Sequence, residues 1–300
     1  MRVNPNVVPD ILADLNQSQT TLNTALQEVS TGKSVNVPSD DPTAAADMVQ
    51  NTIETQNVDQ YTKNVSSQLS MVQTGDSALG SVVTLLTQAV SLGTEGANGT
   101  NNSSDQQAIA QQVQGILSSV VSQANTTYQG SYIFGGTANT TTPYTANSSA
   151  ASGYSYNGNS GVNSVAVGDD MTVQVNVPGS QIFSNSSTDV LGSLSSLVSA
   201  LQSGNSTAIG TATSAVTAAL NYVSQQRVVY GNAESQLNSQ ETFLQQETVS
   251  LTSQENSLIG VDEAQAATAL SQAETINNAA EAAAAKVLPD TILNYLAPPQ

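Results

Sequence analysis

Ile209, Val216, Val223, Tyr230, Leu237, Leu244, Leu251 and Leu258 recur every seven residues without a miss. An apolar row sustained at that period is the mark of a long helix that buries one stripe against other helices. Beyond Gly260 the register shifts by one, and Ile259, Ala266, Ala273, Ala280 and Val287 continue the row with Leu270 and Ile276 beside it. A one-residue slip next to a glycine reads as a hinge or boundary between two helical segments.

The first half carries matching signals. Val8, Leu15, Leu22 and Val29 fall on one row with Leu12 and Leu26 beside it, and Pro9 and Gly32 punctuate the two ends of that helix. A second series, Val58, Val65, Val72, Leu79 and Leu86, follows Ser39-Asp40-Asp41-Pro42. Asp41 there can cap free N–H groups and Pro42 can take the first helical position. From there to about Leu92 the helix runs about 75 Å at 1.5 Å per residue. A third helix is expected from Ser104 to about Tyr128, with Ile109, Val113, Ile116, Leu117, Val120, Val121 and Ala124 as its buried stripe. Between Gly130 and Pro178 the composition turns to Gly, Ser, Thr, Asn and Tyr. The alternation in Val165-Ala166-Val167 and in Val173-Gln174-Val175-Asn176-Val177 is that of short strands.

The fold class expected is therefore mainly α: a long antiparallel helical bundle or coiled coil from both chain ends, with a small β-rich insertion at mid-chain. Residues 1–42 with 256–300 form a terminal coiled-coil domain, 43–129 with 189–255 a long-helix core domain, and 130–188 the insertion. The central rows read as core within one molecule. The terminal rows are rich in Ala and poor in large side chains, a composition suited to close packing among several helices. Val8, Leu12, Leu15, Leu22, Leu26, Val29, Ile259, Ala266, Leu270, Ala273, Ile276, Ala280 and Val287 are accordingly the candidate assembly interface.

Composition bears on chemistry. The 300 residues include no Cys and no His, which removes thiolate nucleophiles, Cys-ligated metals and the commonest general base. Ser 40, Thr 32, Asn 27 and Gln 29 supply most of the polarity, and only 9% of the chain is charged. The formal net charge of −18 repels phosphate backbones and anionic headgroups, which argues against nucleic acid and membrane insertion. No apolar run approaches the ~18–20 residues of a membrane span, and the first residues lack the h-region of a cleaved signal.

Individual candidates have plain structural readings. Asp40-Asp41 and Asp169-Asp170 could offer oxygens to Ca²⁺ or Mg²⁺, but a helix cap and a turn account for them. Tyr144, Tyr154 and Tyr156, with Asp169, could form a glycan site on an exported adhesin; a hairpin with aromatic cross-strand partners explains the tyrosines as well. Nothing assembles a nucleophile, base and orienter, so no catalytic residue, cofactor or metal is assigned.

Several segments together resemble the flagellin-like axial proteins of the bacterial flagellum, and within them the hook-associated proteins of the hook-filament junction. They are Met1-Arg2-Val3; Glu28-Val29-Ser30-Thr31-Gly32-Lys33 through Pro38-Ser39-Asp40-Asp41-Pro42-Thr43-Ala44; Tyr132-Ile133-Phe134-Gly135-Gly136-Thr137; Val177-Pro178-Gly179-Ser180-Gln181-Ile182-Phe183; and Arg227-Val228-Val229-Tyr230-Gly231. Flagellins themselves are the near alternative, separated by the Pro-Ser-Asp-Asp-Pro form. The resemblance implies a non-enzymatic structural subunit, exported without a cleaved signal peptide to the extracellular flagellum. It also implies self-association in a ring and contacts with another hook-associated protein and with flagellin. A flagellar export chaperone and the type III export apparatus complete the implied partners. The terminal domain becomes the innermost layer in this picture, with its helices ordered by their neighbours.

Overall fold

In the computed structural model the backbone is described for residues 7–296 and the side chains for 9–286. Helix α1 (Val7–Thr31) is followed by α2 (Pro42–Gly96) and α3 (Ser103–Ala124). Six short strands come next: β1 (Thr127–Tyr128), β2 (Ser131–Tyr132), β3 (Tyr144–Ala146), β4 (Tyr154–Tyr156), β5 (Ser164–Ala166) and β6 (Thr172–Gln174). The chain then closes with α4 (Gly179–Ile182), α5 (Val190–Ser203), α6 (Ser206–Ile259) and α7 (Glu263–Leu296). Packing divides it into two compact units, residues 1–57 with 247–300 and residues 58–246, with α2 and α6 contributing to both.

Local chemistry sets the helix ends. Gly32 stops α1 with φ +69°, a left-handed conformation that costs glycine nothing. Asp41 Oδ1 accepts the N–H groups of Thr43 and Ala44 at 2.9 and 3.0 Å, and Pro42 opens α2. Asp40 Oδ2 accepts the N–H groups of Asn36 and Val37 at 3.0 Å each, so both carboxylates serve backbone donors. A capping box opens α3, with Asn102 Oδ1 receiving Ser104 and Asp105 N–H. The break anticipated at Gly260 is real: α6 ends at Ile259, and Asp262 Oδ1 receives the N–H groups of Ala264 and Gln265 to start α7.

In the larger unit, α2 and α6 pair antiparallel along the two apolar rows. Val65, Val72, Leu79 and Leu86 on one, and Ile209, Val216, Val223 and Leu237 on the other, are fully buried. The helices come close at glycines: a Cβ on Gly75 would run into the Tyr230 ring, and one on Gly93 into Thr213. Arg227 forks onto Asp76 with Nε–Oδ1 2.8 Å and Nη2–Oδ2 2.6 Å, a half-exposed pair worth no more than about 1 kcal/mol. By length and composition α2 is apolar enough to cross a membrane, but this row is occupied by packing against α6. Helix α5 packs on α3, and Gly204 (φ 68°) separates it from α6.

The insertion consists of three antiparallel hairpins. The β1–β2 hairpin turns through Gln129 and Gly130, both at positive φ, the geometry of a tight hairpin turn. This ends α3 at Ala124, earlier than Tyr128. The physical reason is tertiary, because the Asn125 side chain exchanges 2.8 Å hydrogen bonds with the backbone of Tyr144 in both directions. In the β3–β4 pair Tyr144 lies opposite Tyr156 and Ala146 opposite Tyr154. Asp169 and Asp170 lie in the turn between β5 and β6. That hairpin is pinned by Tyr61 donating to Asp169 Oδ1 at 3.0 Å, Asn64 to the Ala166 carbonyl at 3.1 Å and Gln240 to the Val167 carbonyl at 2.8 Å.

Candidate assembly interface

The smaller unit has very little core. Its buried apolar side chains among the described residues are Ala25, Ala44, Leu251, Ile259, Ala266, Ala273 and Ala284, of which five are alanine. The same unit exposes Leu12, Leu26, Val29, Val37, Val49, Ile53, Val249 and Ile276. Large apolar groups outside and methyl groups inside are the reverse of what stabilises a free-standing helical unit.

Helices α1 and α7 pack together along one stripe each. On α1 that stripe is Ile11, Leu15, Ser18, Leu22 and Ala25; on α7 it is Ala266, Leu270, Ala273, Asn277, Ala280 and Ala284. The alternating steps of four and three are a heptad seam. At one end it is closed by an antiparallel bridge between Lys33 and Gly260, by the N–H of Ser34 on the Ile259 carbonyl at 2.7 Å and by the Lys33–Glu255 ion pair at 3.0 Å.

The anticipated interface residues thus fall into two groups. Leu15, Leu22, Ile259, Ala266, Leu270, Ala273 and Ala280 are buried or half-buried, and the seam takes all of them but Ile259. Leu12 (45% exposed), Leu26 (45%), Val29 (43%) and Ile276 (59%) point to solvent and are free for a neighbour. Val8 and Val287 lie outside the residues whose side chains are described. Sequence reasoning paired Leu12 and Leu26 with the Leu15–Leu22 row; the positions that face α7 are instead Ile11, Ser18 and Ala25. A hydroxyl and a methyl group carry no hydropathy signal, and only the four–three spacing could have found them.

Of the tyrosines offered as a sugar site, Tyr144 belongs to the core, while Tyr154 and Tyr156 are half-buried. Tyr144 is 2% exposed, its hydroxyl donates to the Gly179 carbonyl at 2.8 Å, and its ring lies 5.1 Å from Tyr156 and 5.8 Å from Phe183. Phe134 meets Phe183 edge-on at 5.4 Å and Tyr230 at 6.4 Å. Burial pushes the phenols of Tyr144 and Tyr230 well above the ordinary tyrosine range. The folded protein therefore holds protons that the unfolded chain releases near pH 10, and stability is complete below that pH and falls above it. Each tyrosine contributes a slope of up to about 1.4 kcal/mol per pH unit. Thermal melts should drop steeply from about pH 10 upward, together with the tyrosinate absorbance; an unchanged melting midpoint across that range would contradict the buried cluster. Among the described residues no group of three or more Asp or Glu side chains comes together as a metal site.

Long helices from the two chain ends, with a small β insertion between them in the sequence, make up the fold. Residues 7–139 match the bacterial flagellin N-terminal helical region and 213–296 its C-terminal helical region, together more than two thirds of the sequence. The chain belongs to the flagellin family. Phase 1 flagellin of Salmonella naestved is 29% identical over 114 residues, which are 38% of this chain and 23% of that protein. The chain thus matches less than a quarter of the length of its curated flagellin relatives. Its fold is shared with a flagellar hook-associated protein from Vibrio parahaemolyticus (TM-score 0.68, 20% identity, 74% of this chain and 100% of that one). The same holds for hook-associated protein-3 from Legionella pneumophila (0.64, 14% identity, 70% and 98%) and FlgL from Bacillus cereus (0.60, 23%, 69% and 99%).

Proposed function

We propose that the chain is a structural, non-enzymatic subunit of the bacterial flagellum, placed at the junction between hook and filament. The carrying observation is the inverted burial of the smaller unit, which keeps alanine inside and presents Leu12, Leu26, Val29 and Ile276 outward. Helices of this kind gain their missing burial from neighbours, so self-association and contacts with other axial proteins supply what one chain lacks. In this reading residues 1–42 and 256–300 form the innermost layer, 43–129 and 189–255 the next, and 130–188 face outward. Its partners are another hook-associated protein, flagellin and further copies of itself. An export chaperone and a type III apparatus deliver it to the cell exterior.

Fold similarity favours the junction over the filament, because the match runs almost end to end along the hook-associated chains. A strain lacking this chain should assemble intact hooks, carry no filaments and shed flagellin into the medium. Normal filaments in that strain would refute the reading. Missing filaments without shed flagellin would point to a filament subunit instead.

A further inference from the structure

Ser18 and Asn277 meet in the middle of the α1–α7 seam, and both are buried, at 8% and 7% exposure. The Ser18 hydroxyl donates to Asn277 Oδ1 at 3.4 Å, and Asn277 Nδ2 donates to Glu281 Oε1 at 2.9 Å. We infer that this polar layer sets the register in which α1 and α7 pair, and so fixes where the exposed Leu12, Leu26 and Ile276 stand. The inference holds whichever axial role the chain has.

The rest of the seam specifies register weakly. With the helices antiparallel, the Ser18–Asn277 level places Leu22 beside Ala273, Ala25 beside Leu270 and Leu15 beside Ala280. Ala266, Ala273 and Ala280 form one heptad row of α7, so a slide of seven residues exchanges alanine for alanine. The other row does not repeat. The same slide sets Asn277 against Ala25 or Ile11 and Ser18 against Leu270 or Ala284, leaving the Ser18 hydroxyl and Asn277 Oδ1 buried without each other, while the Asn277–Glu281 bond within α7 is kept. A polar side chain at one seam position is the device by which coiled coils reject wrong registers, at some cost in stability. The closure at Lys33 and Gly260 is at one end of the pair, roughly fifteen residues or about 22 Å from this layer at 1.5 Å per residue.

The chain has no cysteine, so register can be read by introduced pairs. Leu22→Cys with Ala273→Cys reports the native register. Leu22→Cys with Ala280→Cys reports the slipped one, because those positions are about 10 Å apart along the axis in the native pairing. Both are equilibrated in a thiol redox buffer, on the full chain, at concentrations where far-UV helicity has reached its plateau. In the unaltered background the native pair should be oxidised at least about tenfold more than the slipped pair, the ratio set by about 1.4 kcal/mol. Asn277→Leu should bring the two within about threefold.

A second variant guards against a folding defect. Ser18→Leu, Asn277→Leu, Ala25→Ser and Leu270→Asn together move the layer one heptad along, where Glu274 stands four residues after the new amide as Glu281 does after Asn277. This variant should restore the native preference. The inference is overturned if Asn277→Leu keeps the original ratio, if the relocated layer fails to restore it, or if the native pair does not oxidise in the unaltered background.

Discussion

Replacing Phe134 by Ala lowers the stability of the larger unit by about 3–5 kcal/mol. Phe134 is fully buried and ranks among the largest buried side chains of the molecule. Its ring packs edge-on to Phe183 at an interplanar angle of 90° and against Tyr230 at 65°. The loss therefore combines transfer energy, an unfilled cavity and two aromatic contacts worth about 0.5–1.5 kcal/mol each. The backbone at this position is independently held, since the Phe134 carbonyl accepts the Gly179 N–H at 2.7 Å and the Tyr156 hydroxyl at 3.0 Å. The cavity consequently cannot close by a simple shift of the chain. In urea the midpoint should fall with little change in slope, and Phe134→Leu should cost only about 1 kcal/mol. A loss below about 1 kcal/mol for Ala would mean that the insertion and α6 do not share this core.

In the sequence Phe134 is one aromatic residue in the segment 132–137, and no period marks it as the hub of a cluster. Constant-period rows of large apolar residues are legible because period and burial report the same fact. Val58, Val65, Val72, Leu79 and Leu86 are all buried, as are Ile209 through Leu251 on the partner row. Caps are legible for a similar reason: Asp41, Pro42 and Gly32 act on neighbours within a few residues. The helix break at Gly260 was visible as a slip of one in the row. The end of α3 was not, because Asn125 stops it through Tyr144, nineteen residues away. Helix α5 lies before Ile209, where the seven-residue row begins, so that row carries no sign of it; Gly204, with φ 68°, separates it from α6.

The terminal seam was half legible. Leu15 and Leu22 announced a row, but the positions interleaved with them are Ser18 and Ala25, while the conspicuous leucines at 12 and 26 face away. Where a seam is built from alanine, serine and asparagine, hydropathy marks the wrong face. The same property is what makes the unit depend on other molecules. Burying a large aliphatic side chain contributes about 1.5–3 kcal/mol, and ordering each residue costs about 1–2 kcal/mol. Among the described residues of this unit, only Leu251 and Ile259 of the buried ones offer burial of that size.

Amide exchange on the full chain, dilute and then assembled, tests the account most directly. In dilute solution the amides of α1 and of residues 263–286 should exchange about 10³-fold faster than those of α2 beyond residue 58 and α6 before residue 246, which share the larger core. On assembly the terminal helices should become protected to a similar degree. Terminal helices already protected to within about tenfold of the larger unit in the dilute chain, with no further gain on assembly, would contradict it.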